Sequence, residues 1–275
     1  MGTFLILGGT GKVGRRVTRV LQRGGHGARP ASRSAALRFD WRVPETWATA
    51  VQDIDGLFVV GPGSATDWSS LLTSFLDVAS AAGVRHAVLL SARGVEFLPD
   101  GNVARAEEAL RAGPVPWTIL RPTHFAQNFT EAMFTPVEGR VVAPVGDGAE
   151  PFVDIEDIAV VAAHVLTHGV AAGDTVDLSG PAAITFARAA QILSEVTGRP
   201  ITFRDEPDDD HIAALRAAGT PEEYIRWRLA MLTGIRRGAD AYLSDGVSRL
   251  LGRPATGFST WARREAREAL GAGGR

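Results

Sequence analysis

The stretch that decides the fold reads Phe4-Leu5-Ile6-Leu7-Gly8-Gly9-Thr10-Gly11-Lys12-Val13-Gly14 and continues as RRVTRVL to Leu21. Four apolar residues run directly into a glycine-rich segment. Apolar residues then recur at helical spacing, at Val13, Val17, Val20 and Leu21. The stretch therefore predicts a buried strand, a tight turn and an amphipathic helix, in that order.

Each glycine of Gly8-x-x-Gly11-x-x-Gly14 has an expected task. Gly8 lets the chain turn off the strand, Gly11 leaves room for a pyrophosphate at the backbone, and Gly14 lets the helix pack closely on the sheet. The phosphates are expected at the N-terminus of the helix. A tight turn without a ligand is the alternative. The expected cofactor contacts in this segment are Gly8, Thr10, Gly11, Lys12, Val13 and Gly14.

Composition limits the function classes. The chain has 275 residues, of which 45% are apolar, enough for one large core or two joined ones. A net charge of −2 argues against a nucleic-acid or membrane surface. There is no run of 18 apolar residues and no apolar leader, so we expect a cytoplasmic protein. The absence of cysteine excludes disulfides, thiolate catalysis and Cys-based zinc sites.

Strand-like and helix-like segments alternate beyond the first helix. Strands are expected at 28–32, 38–41, 56–60, 86–91, 117–120, 141–142 and 175–178. Helices are expected at 44–52, 67–79, 102–111, 155–166, 186–197, 209–218, 221–232 and 260–270. The alternation predicts an α/β fold, a doubly wound parallel sheet followed by a smaller, mostly helical part. Pro30 is awkward in an internal strand, because proline removes a ladder donor. The acidic residues before His211 indicate a helix start rather than a metal site.

The first 39 residues favour NADPH over NADH. An NAD site would place an acidic residue about 20 residues past the glycines to bind the ribose 2′-hydroxyl. No acid precedes Asp40, whereas Arg33-Ser34 follows the predicted second strand and suits a 2′-phosphate. We therefore predict that Arg33 and Ser34 contact the phosphate. The arginines of the first helix, Arg15, Arg16, Arg19 and Arg23, are interpreted as a solvated face.

Several segments in order resemble the NmrA-like atypical short-chain dehydrogenase/reductases. They are the glycine-rich turn, Phe39-Asp40-Trp41, Leu89-Leu90-Ser91-Ala92, Thr118-Ile119-Leu120-Arg121-Pro122, Phe125-x-Gln127-Asn128-Phe129, residues 152–159 and Leu178-Ser179-Gly180-Pro181. The resemblance implies an NADP-binding Rossmann domain over residues 1–124, with strands of about 150–180 returning to its sheet. It implies a substrate-binding lobe, interleaved with that domain, over 125–275. It also implies that Asp40 contacts the adenine.

The usual catalytic pair of short-chain dehydrogenases, Tyr-x-x-x-Lys, is absent, because the only lysine is Lys12 in the glycine turn. Ser91 ends the fifth strand and could hydrogen-bond a developing alkoxide, besides contacting the cofactor. His124 follows Arg121-Pro122, and its imidazole could donate the proton. Water or a hydroxyl of the substrate is a third candidate donor.

The remaining expected contacts concern the cofactor and the substrate. Gly61 and Pro62, with Gly63, follow the fourth strand and are expected to pass beside the cofactor. An apolar, aromatic-lined pocket for a flat substrate is expected from Phe125, Asn128, Phe129, Phe134, Phe152 and Trp227. Core packing would explain some of these rings equally well.

Two functions remain open at this stage. The first is an NADPH-dependent reductase that transfers hydride to a ketone or quinone of an aromatic secondary metabolite, for instance a polyketide in antibiotic biosynthesis. The second is a regulator of the NmrA type, which senses NADP(H) and binds a partner protein without turnover. We expect a monomer or homodimer in either case.

Overall fold

The computed structural model describes residues 1–271, and a seven-stranded sheet lies at its centre. All neighbouring strands are parallel, in the order β3-β2-β1-β4-β5-β6-β9. The strands are β1 (Thr3–Leu7), β2 (Gly27–Ser32), β3 (Leu37–Arg38), β4 (Gly56–Val59), β5 (Ala87–Leu90), β6 (Trp117–Pro122) and β9 (Asp174–Leu178). This order is that of a doubly wound Rossmann sheet, which confirms the predicted fold class.

Helices cover both faces of the sheet and bury two apolar layers. One layer contains residues of α1 (Lys12–Arg23), α6 (Ile155–His168) and α10 (Gly246–Leu251). The other contains residues of α2 (Trp47–Ala50), α3 (Ser69–Ala81) and α4 (Asn102–Ala112). The central strands are buried on both faces, which is why they read as continuous apolar runs.

Pro30 lies in β2 without removing a ladder bond. Gly27 N–H donates to Gly2 C=O on the β1 side, whereas Ser32 C=O accepts from Phe39 N–H on the β3 side. Alternate residues of a strand face opposite neighbours, so Pro30 faces the β3 side with Ser32. Pairing with β3 begins only opposite Ala31. Pro30 therefore occupies a position at which no neighbouring strand would accept a hydrogen bond from a backbone N–H.

The predicted strand at 38–41 is wrong beyond its first residue, because β3 ends at Arg38. Phe39 and Trp41 turn their rings edge-on to Phe75 of α3, with ring centroids 5.2 and 5.4 Å away. Asp40 C=O accepts a hydrogen bond from Trp47 Nε1 at 3.0 Å. Aromatic packing and this bond therefore replace a strand ladder here.

The C-terminal half adds small sheets and helices with a third core. Its strands are β7 (Arg140–Ala143), β8 (Ala149–Glu150), β10 (Ile184–Thr185) and β11 (Thr202–Asp205), with β8 paired to β10 and β7 to β11. Its helices are α5 (Asn128–Glu131), α7 (Phe186–Thr197), α8 (Asp208–Ala217), α9 (Glu222–Arg236), α11 (Phe258–Trp261) and α12 (Arg267–Gly271), with a π-helical turn at Ala262–Ala266. The helices expected at 186–197 and 209–218 are present within one residue.

The chain therefore brings several loops to one edge of the main sheet. The carboxyl ends of β1, β4, β5 and β6 lead into the glycine turn, Gly61–Gly63, Ser91 and His124 respectively. Open α/β sheets bind ligands at this edge. Among residues 1–271, every helix is too short or too polar to cross a bilayer.

Candidate active site

The glycine turn has the geometry of a phosphate cradle. Gly8 has φ +65°, the left-handed region that favours glycine. A Cβ on Gly14 would lie 2.3 Å from the Gly8 carbonyl oxygen, so the helix packs on the turn itself rather than on the sheet as expected. Gly9 is the glycine pressed against the sheet, since its Cβ would lie 2.5 Å from Pro30 Cβ. Helix α1 has no capping side chain and no acid in its first turn, which fits a bound pyrophosphate.

The segment after β2 presents Arg33 to solvent. Its guanidinium makes no hydrogen bond or ion pair with any residue that the structure describes. Ser34 N–H and its hydroxyl lie 3.3 and 3.4 Å from Ser32 Oγ. The Asp40 carboxylate accepts from Arg42 N–H at 3.0 Å. Arg33 is therefore available for a phosphate, and the adenine contact of Asp40 stays a prediction.

Arg16 is buried, which corrects its assignment to a solvated helix face. Its guanidinium contacts three carboxylates at 3.0 to 3.3 Å, those of Glu131, Glu156 and Glu265. Arg15 pairs with Glu131, and Arg19 pairs with Glu156. The basic face of α1 is thus a docking surface for the C-terminal half of the chain.

A cavity of about 540 Å³ opens beside the glycine turn. Its walls come from α1, the loops after β4, β5 and β6, α5 and α9. They are formed by Lys12, Gly63, Ala92, Gly94, Pro122, Thr123, His124, Phe125, Asn128, Ala132, Met133, Tyr224, Trp227, Arg228, Met231 and Asp240. Gly63 has φ +111°, so the loop after β4 reaches the cavity in a glycine conformation. Gly61 instead packs against the Trp68 ring, since a Cβ on Gly61 would lie 2.3 Å from Trp68 Cζ2. Neither Gly61 nor Pro62 lines the cavity.

The expected substrate contacts divide into two groups. Phe125, Asn128 and Trp227 line the cavity. Phe129, Phe134 and Phe152 do not, because their rings are buried in the third core, where the centroids of Phe129 and Phe152 lie 5.1 Å apart. The assignment of these three to the pocket is therefore wrong, and core packing explains them.

Ser91 points away from the cavity. Its hydroxyl donates to Glu107 Oε1 at 2.5 Å, and the same carboxylate binds the Arg121 guanidinium at 2.6 and 2.9 Å. These bonds and the nearby Arg111 lower the pKa of Glu107 against the opposing effect of burial. The expectation that Ser91 bonds the substrate oxygen is thus corrected, because its hydrogen already serves a carboxylate. Its contact with the cofactor stays a prediction.

His124 faces the cavity and is held from behind by Glu150. Its backbone N–H donates to Glu150 Oε1 at 2.9 Å, and its Nδ1 lies 3.2 Å from the same oxygen. The ring also packs on Phe134, with centroids 5.5 Å apart. Because Nδ1 is engaged, Nε2 is the nitrogen left for the cavity.

A second buried carboxyl, that of Asp240, lies beside Glu150 and His124 at one corner of the cavity. Its Oδ1 accepts from Arg93 Nε at 2.6 Å, and the Arg93 side chain is wholly buried. Burial and the neighbouring Glu150 charge raise the pKa of Asp240 to about 7. Sequence reasoning missed Arg93, Glu150 and Asp240. Only Glu150 gives a signal, as an acid beside the Phe152 segment that carries the family resemblance.

Lys12 belongs to the turn and to the cavity at once. It is the first residue of α1, and its side chain also lines the cavity that contains His124. Partial burial lowers the pKa of Lys12, and the nearby Glu131 opposes that shift. The cradle and the cavity are therefore continuous through this side chain.

Comparisons with known proteins agree with the fold and with a nicotinamide cofactor. A family model described as NAD(P)H-binding matches residues 8–169. An uncharacterized oxidoreductase of Bacillus subtilis, YesF, is 30% identical over 94% of this chain and 93% of its own. An NAD(P)H azoreductase of Xenophilus azovorans is 29% identical over 96% of this chain and 98% of its own. The NADPH-dependent quinone oxidoreductase QOR2 of Escherichia coli, solved with NADPH, shares the fold at a TM-score of 0.79. The two chains are 21% identical, and the matched region covers 95% of this chain and 99% of the quinone oxidoreductase.

Proposed function

This chain belongs to the NAD(P)H-binding family of NmrA-like atypical short-chain dehydrogenase/reductases, and from that premise we propose that it reduces a carbonyl of a flat aromatic metabolite. It is an NAD(P)H-dependent oxidoreductase. We propose that NADPH is the preferred form of the cofactor and that the acceptor is a ketone or a quinone. The names of the similar azoreductase and quinone oxidoreductase support a conjugated, ring-bearing acceptor.

One observation carries the proposal: Lys12 and His124 line the same apolar cavity. A cofactor whose pyrophosphate occupies the glycine turn has its reactive end near this edge of the sheet. A substrate in the cavity would therefore meet both the cofactor and the imidazole. Positioning two reactants in this way accounts for much of the rate enhancement in hydride transfer.

The residues of the cavity divide the remaining work. NADPH supplies the hydride when bound. Phe125, Trp227 and Met231 provide the apolar surface against which a flat ring packs and from which water is excluded. His124 Nε2–H gives a proton to the oxygen on which negative charge develops. No step needs a Tyr-x-x-x-Lys pair.

The test follows NADPH oxidation against a panel of quinones, aromatic ketones and azo dyes. We expect turnover with at least one quinone or aromatic ketone. The His124→Gln variant should lose about 100-fold or more in kcat, because a general acid contributes about 10²–10⁴-fold. Tyr224→Phe is the matched control, since Tyr224 lines the same cavity but has no proposed proton to give.

Three outcomes would contradict the proposal. Full kcat in His124→Gln would remove the imidazole from the reaction. A loss in Tyr224→Phe in place of His124→Gln would assign the proton to the phenol. Tight NADPH binding without turnover on any acceptor would favour a regulator that senses NADP(H).

A further inference from the structure

Two buried carboxyl groups face each other behind His124. Glu150 is fully buried in β8, and Asp240 is 2% exposed in the loop after α9. One carboxylate oxygen of Glu150, one of Asp240 and one ring nitrogen of His124 all lie within 4.8 Å of one another. The two acids come from distant segments and meet only at the wall of the cavity.

The charges of this corner do not balance if both acids are ionised. Arg93 is the cation paired with Asp240, at 2.6 Å, so two carboxylates and one guanidinium leave one negative charge in a buried place. An uncompensated buried charge is expensive, and a group in this position usually binds a proton instead. Arg93 already binds Oδ1 of Asp240, and a proton is a counter-charge that needs no further ligand.

The hydrogen bonds point to the same missing proton. Glu150 Oε1 accepts the backbone N–H of His124 and lies 3.2 Å from His124 Nδ1, whereas Glu150 Oε2 is buried and has no partner among the described residues. A carboxylate oxygen buried without a donor loses its hydration and gains nothing in return. A proton carried by Asp240 would supply that donor. The raised pKa of Asp240 agrees with this arrangement.

We propose that Glu150 and Asp240 share one proton at neutral pH and deliver it to His124 Nδ1 when His124 Nε2 protonates the product oxygen. The delivery rests on the proposed function, whereas the shared proton does not. Glu150 and Asp240 are thus positioning residues that act through the imidazole.

The relay gives one proton to the product and recovers one from water. Before the reaction the acid pair carries one proton and His124 is neutral, with its hydrogen on Nε2. The Nε2–H bond breaks as the O–H bond of the product forms. The one proton of the pair passes from Asp240 to Glu150 and from Glu150 to Nδ1. Both acids are then ionised. After product release, water protonates Nε2, and Nδ1 returns its proton to the pair.

Other ionisable groups at this wall do not replace the pair. Three charged or titratable side chains lie against Asp240. Arg93 comes from the 3₁₀ turn after β5, Glu150 comes from β8, and His124 comes from the loop after β6. The remaining ones that line the cavity are Lys12 from α1 and Tyr224 and Arg228 from α9. The Arg228 guanidinium is already bound to His211, with Nε 2.9 Å from His211 Nε2.

The test uses the Asp240→Asn variant of the full-length protein. Asparagine keeps an oxygen for Arg93 and an N–H for Glu150 but carries no transferable proton. Infrared spectra recorded across pH should show, in the wild type, the carbonyl band of a buried protonated carboxyl that disappears around pH 7. The band should be absent from both Asp240→Asn and Glu150→Gln. If one of the two variants fails to fold, the other still provides the test. Asp209→Asn, an exposed acid in the first turn of α8, is the control and should keep it.

Catalysis provides the second measurement. In Asp240→Asn, kcat should fall at least about tenfold and lose its dependence on pH near 7, with KM for NADPH unchanged. A wild type without the band, a band that persists in both variants, or an unchanged pH profile of kcat would each overturn the inference. If the band behaves as expected but His124→Gln retains full activity, the shared proton stands and the proposed role of His124 falls.

Discussion

A hydroxyl hydrogen can serve one strong acceptor at a time, and that of Ser91 serves Glu107. The imidazole of His124 has two nitrogens, so it can bind Glu150 with one and face the cavity with the other. Two side chains that follow neighbouring strands at the same edge of the sheet thus have different chemistry, and the difference lies in their partners.

The Ser91→Ala substitution should affect stability rather than catalysis. It removes a buried hydrogen bond to a charged group, so the free energy of unfolding should fall by about 1.5–3 kcal/mol. We expect kcat to stay within about twofold of wild type, because Ser91 does not line the cavity. Chemical denaturation and steady-state kinetics measure both quantities. Ser74→Ala, on the exposed side of α3, is the control, and a large loss of kcat in Ser91→Ala would restore Ser91 to the reaction.

The Arg33→Ala substitution should weaken NADPH more than NADH. A hydrogen bond between charged groups contributes about 1.5–3 kcal/mol, so Kd for NADPH should rise by about 10- to 100-fold while Kd for NADH changes little. Titration calorimetry with both cofactors checks this. Arg23→Ala removes the same charge from the end of α1 and should leave the ratio of the two affinities unchanged. Equal losses for both cofactors in Arg33→Ala would contradict the phosphate contact.

At the scale of elements, the sequence predicts what local periodicity and glycine spacing determine. The unit β1–turn–α1 follows from four buried apolar residues and three glycines, and α7 follows from its apolar spacing. The sequence predicts a strand at Phe39 and Trp41 because aromatic side chains favour strands. Both rings instead pack on Phe75, a residue distant in the sequence, which local patterns do not reveal. Asp240 carries no local signal, because its partners come from three other segments.

Gly14→Ala and Gly11→Ala should separate the fold of the turn from its binding. A Cβ on Gly14 would lie 2.3 Å from the Gly8 carbonyl oxygen, so alanine there should lower Tm even without cofactor. At Gly11 the closest atom is the Gly8 carbonyl oxygen at 3.1 Å, so Tm should fall less than in Gly14→Ala. The methyl group at Gly11 should nevertheless obstruct the pyrophosphate and weaken the binding of NADPH. Thermal melts with and without NADPH measure this. The reverse order of Tm losses would contradict the packing described for the turn.

At the scale of the whole molecule, Arg16 connects the first helix to three later segments. Glu131 comes from α5, Glu156 from α6 and Glu265 from the π-helical turn. The third core is built largely from residues 126–270, while α6 and β9 return to the main sheet and its layers. Such interleaving agrees with the family resemblance, and a division of the chain at residue 124 stays a prediction.

Arg16→Gln should be far more damaging than Arg19→Gln. Removing Arg16 takes a buried guanidinium from between three carboxylates, each of which keeps one other arginine, and should lower the free energy of unfolding by about 1.5–3 kcal/mol. Arg19 is exposed and pairs with Glu156 at the surface, where an ion pair contributes at most about 1 kcal/mol. Denaturant titrations compare the two variants. Equal losses would show that the buried cluster contributes no more than a surface pair.

The bond between Arg16 and Glu265 also constrains the order of events during synthesis. These residues are 249 positions apart, so the ribosome adds 249 residues after Arg16 before the guanidinium can meet its last carboxylate. Until then Arg16 lacks one of the three carboxylates that surround it in the folded protein, so this long-range contact forms late in folding. The helix of the cofactor cradle is therefore synthesised long before the last of the carboxylates that hold it.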